Sequence, residues 1–162
     1  MKNEIPSEHD ATVEDKYSVR IKTNTGEERV FNILDTAGEE DYQVMMDNWI
    51  KTADGFLLVF AINDKESLNE LKMKVTKIKS NNKEKAPIIL VGNKCDMEDK
   101  REVSKQSAME YAQSIGAKYY ETSALNANSD NCKVVFQQCA HMIIMNSSIE
   151  NSSPTCPRCS IW

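Results

Sequence analysis

Glycine is scarce in this chain of 162 residues: there are five, at positions 26, 38, 55, 92 and 116, and none is followed by another glycine five residues later. That spacing excludes a phosphate-cradling loop of the form G-x-x-x-x-G-K-[ST] from these residues. Long apolar runs are also missing, so no segment approaches the roughly 20 residues that a spanning helix needs. The polar start MKNEIPSEHD has neither the basic beginning nor the apolar centre of a secretory signal. Both absences point to a soluble, cytosolic chain. An excess of basic charge is lacking as well. The net charge is −5, which argues against binding nucleic acid through phosphate neutralisation and favours protein partners or small ligands. The cysteines are odd in number, at 95, 132, 139, 156 and 159, which does not make a disulfide framework and suits a reducing compartment.

What is present is enough apolar residue, 40% of the chain, for one domain with a sizeable core. Residues 17–23 and 29–35 read as β segments, and TNTGEE between them carries the turn chemistry of Asn24 and Gly26, which predicts a hairpin. GFLLVFAI (55–62) and APIILVGN (86–93) are short continuous apolar runs, as expected of strands buried on both faces of a parallel sheet, and AKYYETS (117–123) is a weaker third. Leu68, Leu71, Val75 and Ile78 recur at helical spacing. So do Ala108, Met109, Ala112 and Ile115, between the candidate caps Ser104 and Gly116. A last helix is expected over about 130–145. Strands alternating with helices after a hairpin predict an α/β layered domain with a mostly parallel sheet. From Asn146 the chain turns polar and rich in Ser, Asn and Pro, which reads as a flexible tail.

In such a domain the chemistry belongs at the carboxyl ends of the strands. LVGNKCD ends one strand with Asn93, Lys94 and Asp96. The Asp96 carboxylate could accept from the ring N–H and the exocyclic amino group of guanine, a pair of donors that adenine does not present. Asn93 could tie neighbouring loops together, and the aliphatic stem of Lys94 could lie on the face of the base. By itself N-K-x-D also fits a solvated turn. ETSAL brings Ser123 and the backbone N–H of Ala124 to the next strand end as a second wall. ILDTAGEEDY ends the earlier strand, where Asp35 could hold Mg²⁺ through water, or simply cap a helix, and Gly38 could turn its N–H towards a terminal phosphate.

Taken in order, DATVEDKY, ILDTAGEEDY, VGNKCD and ETSA resemble the Ras-type small GTPases, from about Ile5 through the last helix. The resemblance implies a P-loop NTPase-like three-layer α/β domain with a mostly parallel central sheet. Residues 1–145 would form an incomplete GTPase domain that lacks the first, central strand and the P-loop, and 146–162 a flexible tail. It implies a switch hydrolysing GTP to GDP in its complete form, with Mg²⁺ as cofactor held by Thr12 and Asp35. Guanine nucleotide would be bound by Asp35, Gly38, Asn93, Lys94, Asp96, Ser123 and Ala124. Asp10, Thr12, Val13, Glu14, Asp15 and Tyr17 would meet effectors through a basic surface on the partner, alongside exchange factors and GTPase-activating proteins. Removing a central strand should leave its neighbours with unpaired ladder groups.

Some positions depart from the family's pattern. Glu39 stands where the family usually carries the glutamine that orients the attacking water, which implies slow or altered hydrolysis. Ile5 replaces an aromatic expected to stack on guanine, Ala11 a proline, and Leu125 a lysine beside the base. A non-hydrolysing effector-binding relative and a non-functional fragment are the competing readings. The final CSIW fits a C-a-a-X prenylation signal at Cys159, with Cys156 as a possible palmitoylation site. Prenylation would place the chain on the cytoplasmic face of a membrane, the plasma membrane first among them; otherwise it is cytosolic. His9 and His141 read as surface residues, and the methionines at 45, 46, 142 and 145 as packing.

Overall fold

Two apolar runs set the middle of the sheet. The computed structural model describes residues 14–22, 28–36, 43–81, 86–125, 131–147 and 157–161. Within them β3 (Gly55–Ala61) and β4 (Ile88–Asn93) are buried on both faces. Phe56, Leu58, Phe60, Ile88 and Leu90 pack into one core cluster, while Leu57, Ile89 and Val91 pack into the other. That division follows from the period of two along a strand. β5 (Lys118–Glu121) lies parallel to β4 at one side of the sheet. At the other side β1 (Glu14–Lys22) and β2 (Glu28–Thr36) form the expected antiparallel hairpin, in register from Glu14 opposite Thr36 to Lys22 opposite Glu28.

Helices cover both faces. α2 (Lys65–Asn81) buries Leu68, Leu71, Val75 and Ile78, the four positions whose spacing predicts it. Each such side chain contributes about 2 kcal/mol through removal from water. The helix is started by Asp64, whose Oδ1 accepts from the N–H groups of Glu66 and Ser67 at 3.0 and 3.2 Å. α3 (Lys105–Ile115) begins at Ser104, whose hydroxyl accepts from Ser107 N–H. It ends at Gly116, which adopts φ 74° and closes the last turn onto Ala112 and Gln113. α1 (Gln43–Thr52) joins α2 and α3 on one face through Trp49 and Ile50, and α4 (Asn131–Ser147) covers the opposite face with Val135, Cys139, Ala140 and Ile143. The result is the expected three-layer α/β domain with a mostly parallel sheet. No helix among the described residues is long and apolar enough to cross a membrane.

The tail departs from expectation. Arg158–Ile161, read from the sequence as part of a flexible segment, form strand β6 in the middle of the sheet, whose order is β1-β2-β6-β3-β4-β5. β6 runs parallel to both neighbours. It pairs Asn32 with Arg158 through Asp35 with Ile161 on one side, and Gly55 with Cys159 through Leu57 with Ile161 on the other. The expected gap between β2 and β3 is therefore occupied, and their ladder groups are paired. The physical reason is the one that made the gap improbable to leave open: buried N–H and C=O groups without partners are costly, and an extended segment that supplies them is held strongly. The strand is anchored where it enters. Asn32 N–H donates to Pro157 O at 2.9 Å, Asp54 N–H donates to Arg158 O at 2.8 Å, and Arg158 N–H donates to Asp54 Oδ2 at 2.7 Å. Cys159, expected to be an accessible lipid acceptor, is 4% exposed and packs with the α4 cluster. Cys156 and Trp162 lie outside the described residues.

Candidate functional site

Asn93 is the last residue of β4, and the chain turns sharply after it because Lys94 adopts a left-handed φ of 61°. That conformation is uncommon for a residue with a side chain. It is held by Met97 N–H, which donates to Lys94 O at 2.9 Å. The following loop is stitched to the segment after β5. Thr122 N–H donates to Gly92 O at 2.9 Å, Cys95 N–H donates to Thr122 O at 3.1 Å, and Thr122 Oγ1 donates to Asn93 Oδ1 at 3.3 Å. Ser123, only 2% exposed, donates its hydroxyl to Asp96 Oδ1, and Leu125 N–H donates to Ser123 Oγ at 3.2 Å. Asn93, Lys94, Asp96, Ser123 and Ala124 are thereby brought to one place at the carboxyl ends of two adjacent strands. Lys94, Asp96 and Ala124 are exposed, and Asn93 is half-buried. A buried hydroxyl orienting an otherwise exposed carboxylate leaves an acceptor aimed at whatever occupies the loop mouth.

Arg101 supports this arrangement from below, and nothing in the sequence reading singled it out. Its guanidinium bonds Glu98 through Nε (2.8 Å) and Nη2 (2.6 Å), Glu121 through Nη1 (3.0 Å) and Nη2 (3.3 Å), and Val103 O through Nη1 (3.1 Å). Tyr119 Oη adds a hydrogen bond to Glu121 Oε1 at 2.7 Å. One planar cation thus ties the short 3₁₀ turn after Asp96 to β5. The hydrogen bond from Arg101 holds the Glu98 carboxyl below its ordinary value. Burial first, then the Glu121 and Asp96 charges, push the Cys95 thiol up, so a thiol sits quietly between Lys94 and Asp96.

Asp35 lies near the end of β2, separated from β4 by β6 and β3, half-buried, and level with Ile161 of β6 and Asp15 of β1. Glu14 and Asp15 belong to the backbone of β1, and Tyr17 on the same strand is 53% exposed. Asp10, Thr12, Val13, Gly38 and Glu39 fall outside the described residues. No group of three His, Cys, Asp or Glu side chains among the described residues is placed to hold a metal ion. A cavity of about 580 Å³ lies elsewhere, between α1 and the hairpin side of the sheet, bordered by Lys16, Asn32, Leu34, Trp49 and Ser160. None of the five converging loop residues borders it.

Comparison with known proteins fits this geometry. A family model described as the Ras family matches residues 1–145. Ras-related protein R-Ras of Mus musculus is 37% identical over 156 residues, which cover 94% of this chain and 70% of that protein. Ras-related protein O-RAL of Diplobatis ommata is 40% identical over 140 residues, covering 84% and 66%. Ras-like protein rasB of Dictyostelium discoideum is 37% identical over 136 residues, covering 82% and 68%. The chain spans about two thirds of the length of these relatives. It belongs to the Ras family of small GTPases.

The Tyr119 phenol gives the supporting network a pH signature. Burial, then the hydrogen bond and charge of Glu121, push its pKa up, so the fold favours the neutral phenol. Its contribution to stability is full below the unfolded value of about 10 and is lost as pH rises towards the raised folded value. Replacing Tyr119→Phe should cost about 1 kcal/mol at neutral pH and flatten the decline of the urea midpoint above about pH 10. Tyr111, also raised by burial, accounts for a residual slope. An alkaline slope unchanged by Tyr119→Phe would show that the network does not hold this proton.

Proposed function

We propose that this chain acts as a guanine-nucleotide-dependent signalling switch of the Ras type, hydrolysing GTP to GDP when a phosphate-binding loop completes the site. The observation that carries the reading is the hydroxyl of Ser123 on Asp96, together with the Thr122–Asn93 bond that draws the two loops into one wall. Asp96 accepts from the two guanine donors, the Lys94 stem lies along the base, and Ala124 N–H meets the carbonyl edge. Asp35 and Thr12 would hold Mg²⁺ with the nucleotide, and the ion would supply neutralisation of phosphate charge. A single carboxylate suits an ion that takes its other ligands from phosphate oxygens and water. Gly38 would offer its N–H to the terminal phosphate. Glu39, standing where the family usually carries a glutamine, would set a carboxylate against that anion and slow turnover. Exchange factors and GTPase-activating proteins are the regulators this reading implies. Residues 1–162 should bind GTP weakly but prefer it to ATP, and Asp96→Asn should cost the preference about tenfold to a hundredfold. Competition calorimetry with GTP and ATP decides it, and equal affinity for the two would sink the proposal.

A second reading is an effector-binding relative that does not hydrolyse. It is favoured by β6, which occupies the centre of the sheet, and by the outer strand β1, which carries Tyr17 largely exposed beside the carboxylate-bearing positions 14 and 15. An effector with a basic surface would add its own strand along β1 and be steered by Asp10, Glu14 and Asp15. Charge reversal by Glu14→Lys and Asp15→Lys should slow association and weaken its salt dependence in stopped-flow binding to such an effector. Identical rates would leave the acidic edge as a solvated one only.

Membrane attachment through Cys159, with Cys156 as a second acyl site, belongs to a state in which β6 has left the sheet, because a thiol 4% exposed is out of reach of a transferase. Intact-mass measurement on protein from its native cell should find a prenyl adduct only on molecules whose residues 158–161 exchange their amides freely. An unmodified terminus throughout would make the chain cytosolic and remove the anchor from this reading.

A further inference from the structure

Cys139 of α4 and Cys159 of β6 meet in the core with their sulfurs 3.4 Å apart, 1% and 4% exposed. Their approach is arranged by a missing side chain. Gly55 lies level with Cys159 on the neighbouring strand, and a Cβ there would stand 2.7 Å from Ile143 Cδ1 and 3.4 Å from Cys139 Sγ. Glycine therefore lets α4 settle directly onto β6. Among the described residues this is the one place where two cysteine sulfurs touch, and it joins the short central strand to the helix that covers it. A disulfide needs sulfurs about 2.05 Å apart, so closure asks for a shortening of roughly 1.4 Å.

We propose that Cys139 and Cys159 are a disulfide-forming pair, oxidised by a low-molecular-weight disulfide of the glutathione type, and that the bond locks β6 into the sheet. Packed against Cys139, the Cys159 thiol holds its proton tightly, so the first step occurs while β6 is withdrawn. The Cys159 thiolate attacks one sulfur of the small disulfide, forms a mixed disulfide and expels one small thiolate, which takes up the proton that Cys159 lost. Re-entry of β6 brings Cys139 to the Cys159 sulfur. Its thiolate attacks there and expels the second small thiolate, which takes up the second proton. Two protein thiols lose two electrons and the small disulfide gains them. The four-residue strand is then tied covalently and no longer leaves without unfolding α4 as well.

The test uses the full 162-residue chain with all five cysteines, held in mixtures of oxidised and reduced glutathione. Peptide mapping without reduction should find residues 139 and 159 linked, with the loss of two hydrogens. Amide exchange across 158–161 should slow about tenfold or more relative to the chain in dithiothreitol, and Cys139→Ala should abolish that slowing. Three results would overturn the proposal: glutathione retained on Cys159 with no link to Cys139, no link at any glutathione ratio, or a link that leaves exchange at 158–161 unchanged.

Discussion

The edges of β2 and β3 face one another across a space one strand wide, and the union of the two parts of the sheet depends on how that space is filled. β2 otherwise pairs only with β1, and β3 only with β4, so the hairpin and the β3–β4–β5 unit share no ladder of their own. Four residues, Arg158–Ile161, join them. Their chemistry suits the position. Cys159 and Ile161 face the cluster under α4, while Ser160 is 2% exposed and borders the cavity beside α1. The junction also fixes Asp35, near the end of β2, relative to the loops at the ends of β4 and β5.

The two parts of the candidate site therefore rest on different foundations. The wall at the ends of β4 and β5 is local: Thr122 is joined to Gly92 and Cys95 by backbone bonds and to Asn93 by a side-chain bond, and Arg101 braces the loop through Glu98 and Glu121. It would keep its shape whatever happened at the hairpin. The position of Asp35 relies on the β2–β6–β3 junction, because the sheet joins β2 to β3 through β6. A disturbance of β6 would thus shift Asp35 relative to the wall without altering the wall's own bonds.

Much of this was legible in the residues. The runs at 55–62 and 86–93 announced buried parallel strands because both faces are covered, and Ser104 and Gly116 marked the ends of α3 because their side-chain and backbone chemistry is local. The N-K-C-D and E-T-S-A segments could be placed for the same reason. α1 is not among the elements predicted from the sequence, because Trp49, Ile50 and Ala53, at spacings of one and three, mark too little of a helical period. Arg101 could not be matched to Glu121 across 20 residues without the fold. β6 was hidden most deeply. The segment before it is polar, it is four residues long, and its stability comes from partners at 32–35 and 55–57 rather than from its own propensity.

The position of β6 in the chain has a kinetic side. Asn32 and Arg158 are paired although more than a hundred residues separate them, and the same is true of Gly55 and Cys159. Contacts so distant in sequence form late, because loop closure must be overcome before they add stability. As the chain emerges during synthesis, the hairpin and the β3–β5 unit are made first, each with a long unpaired strand edge turned outward. Those edges stay open until residues 158–161 arrive. In that interval the nascent protein presents two templates for pairing with other chains, and the speed with which its last strand finds the gap decides how much of it escapes aggregation.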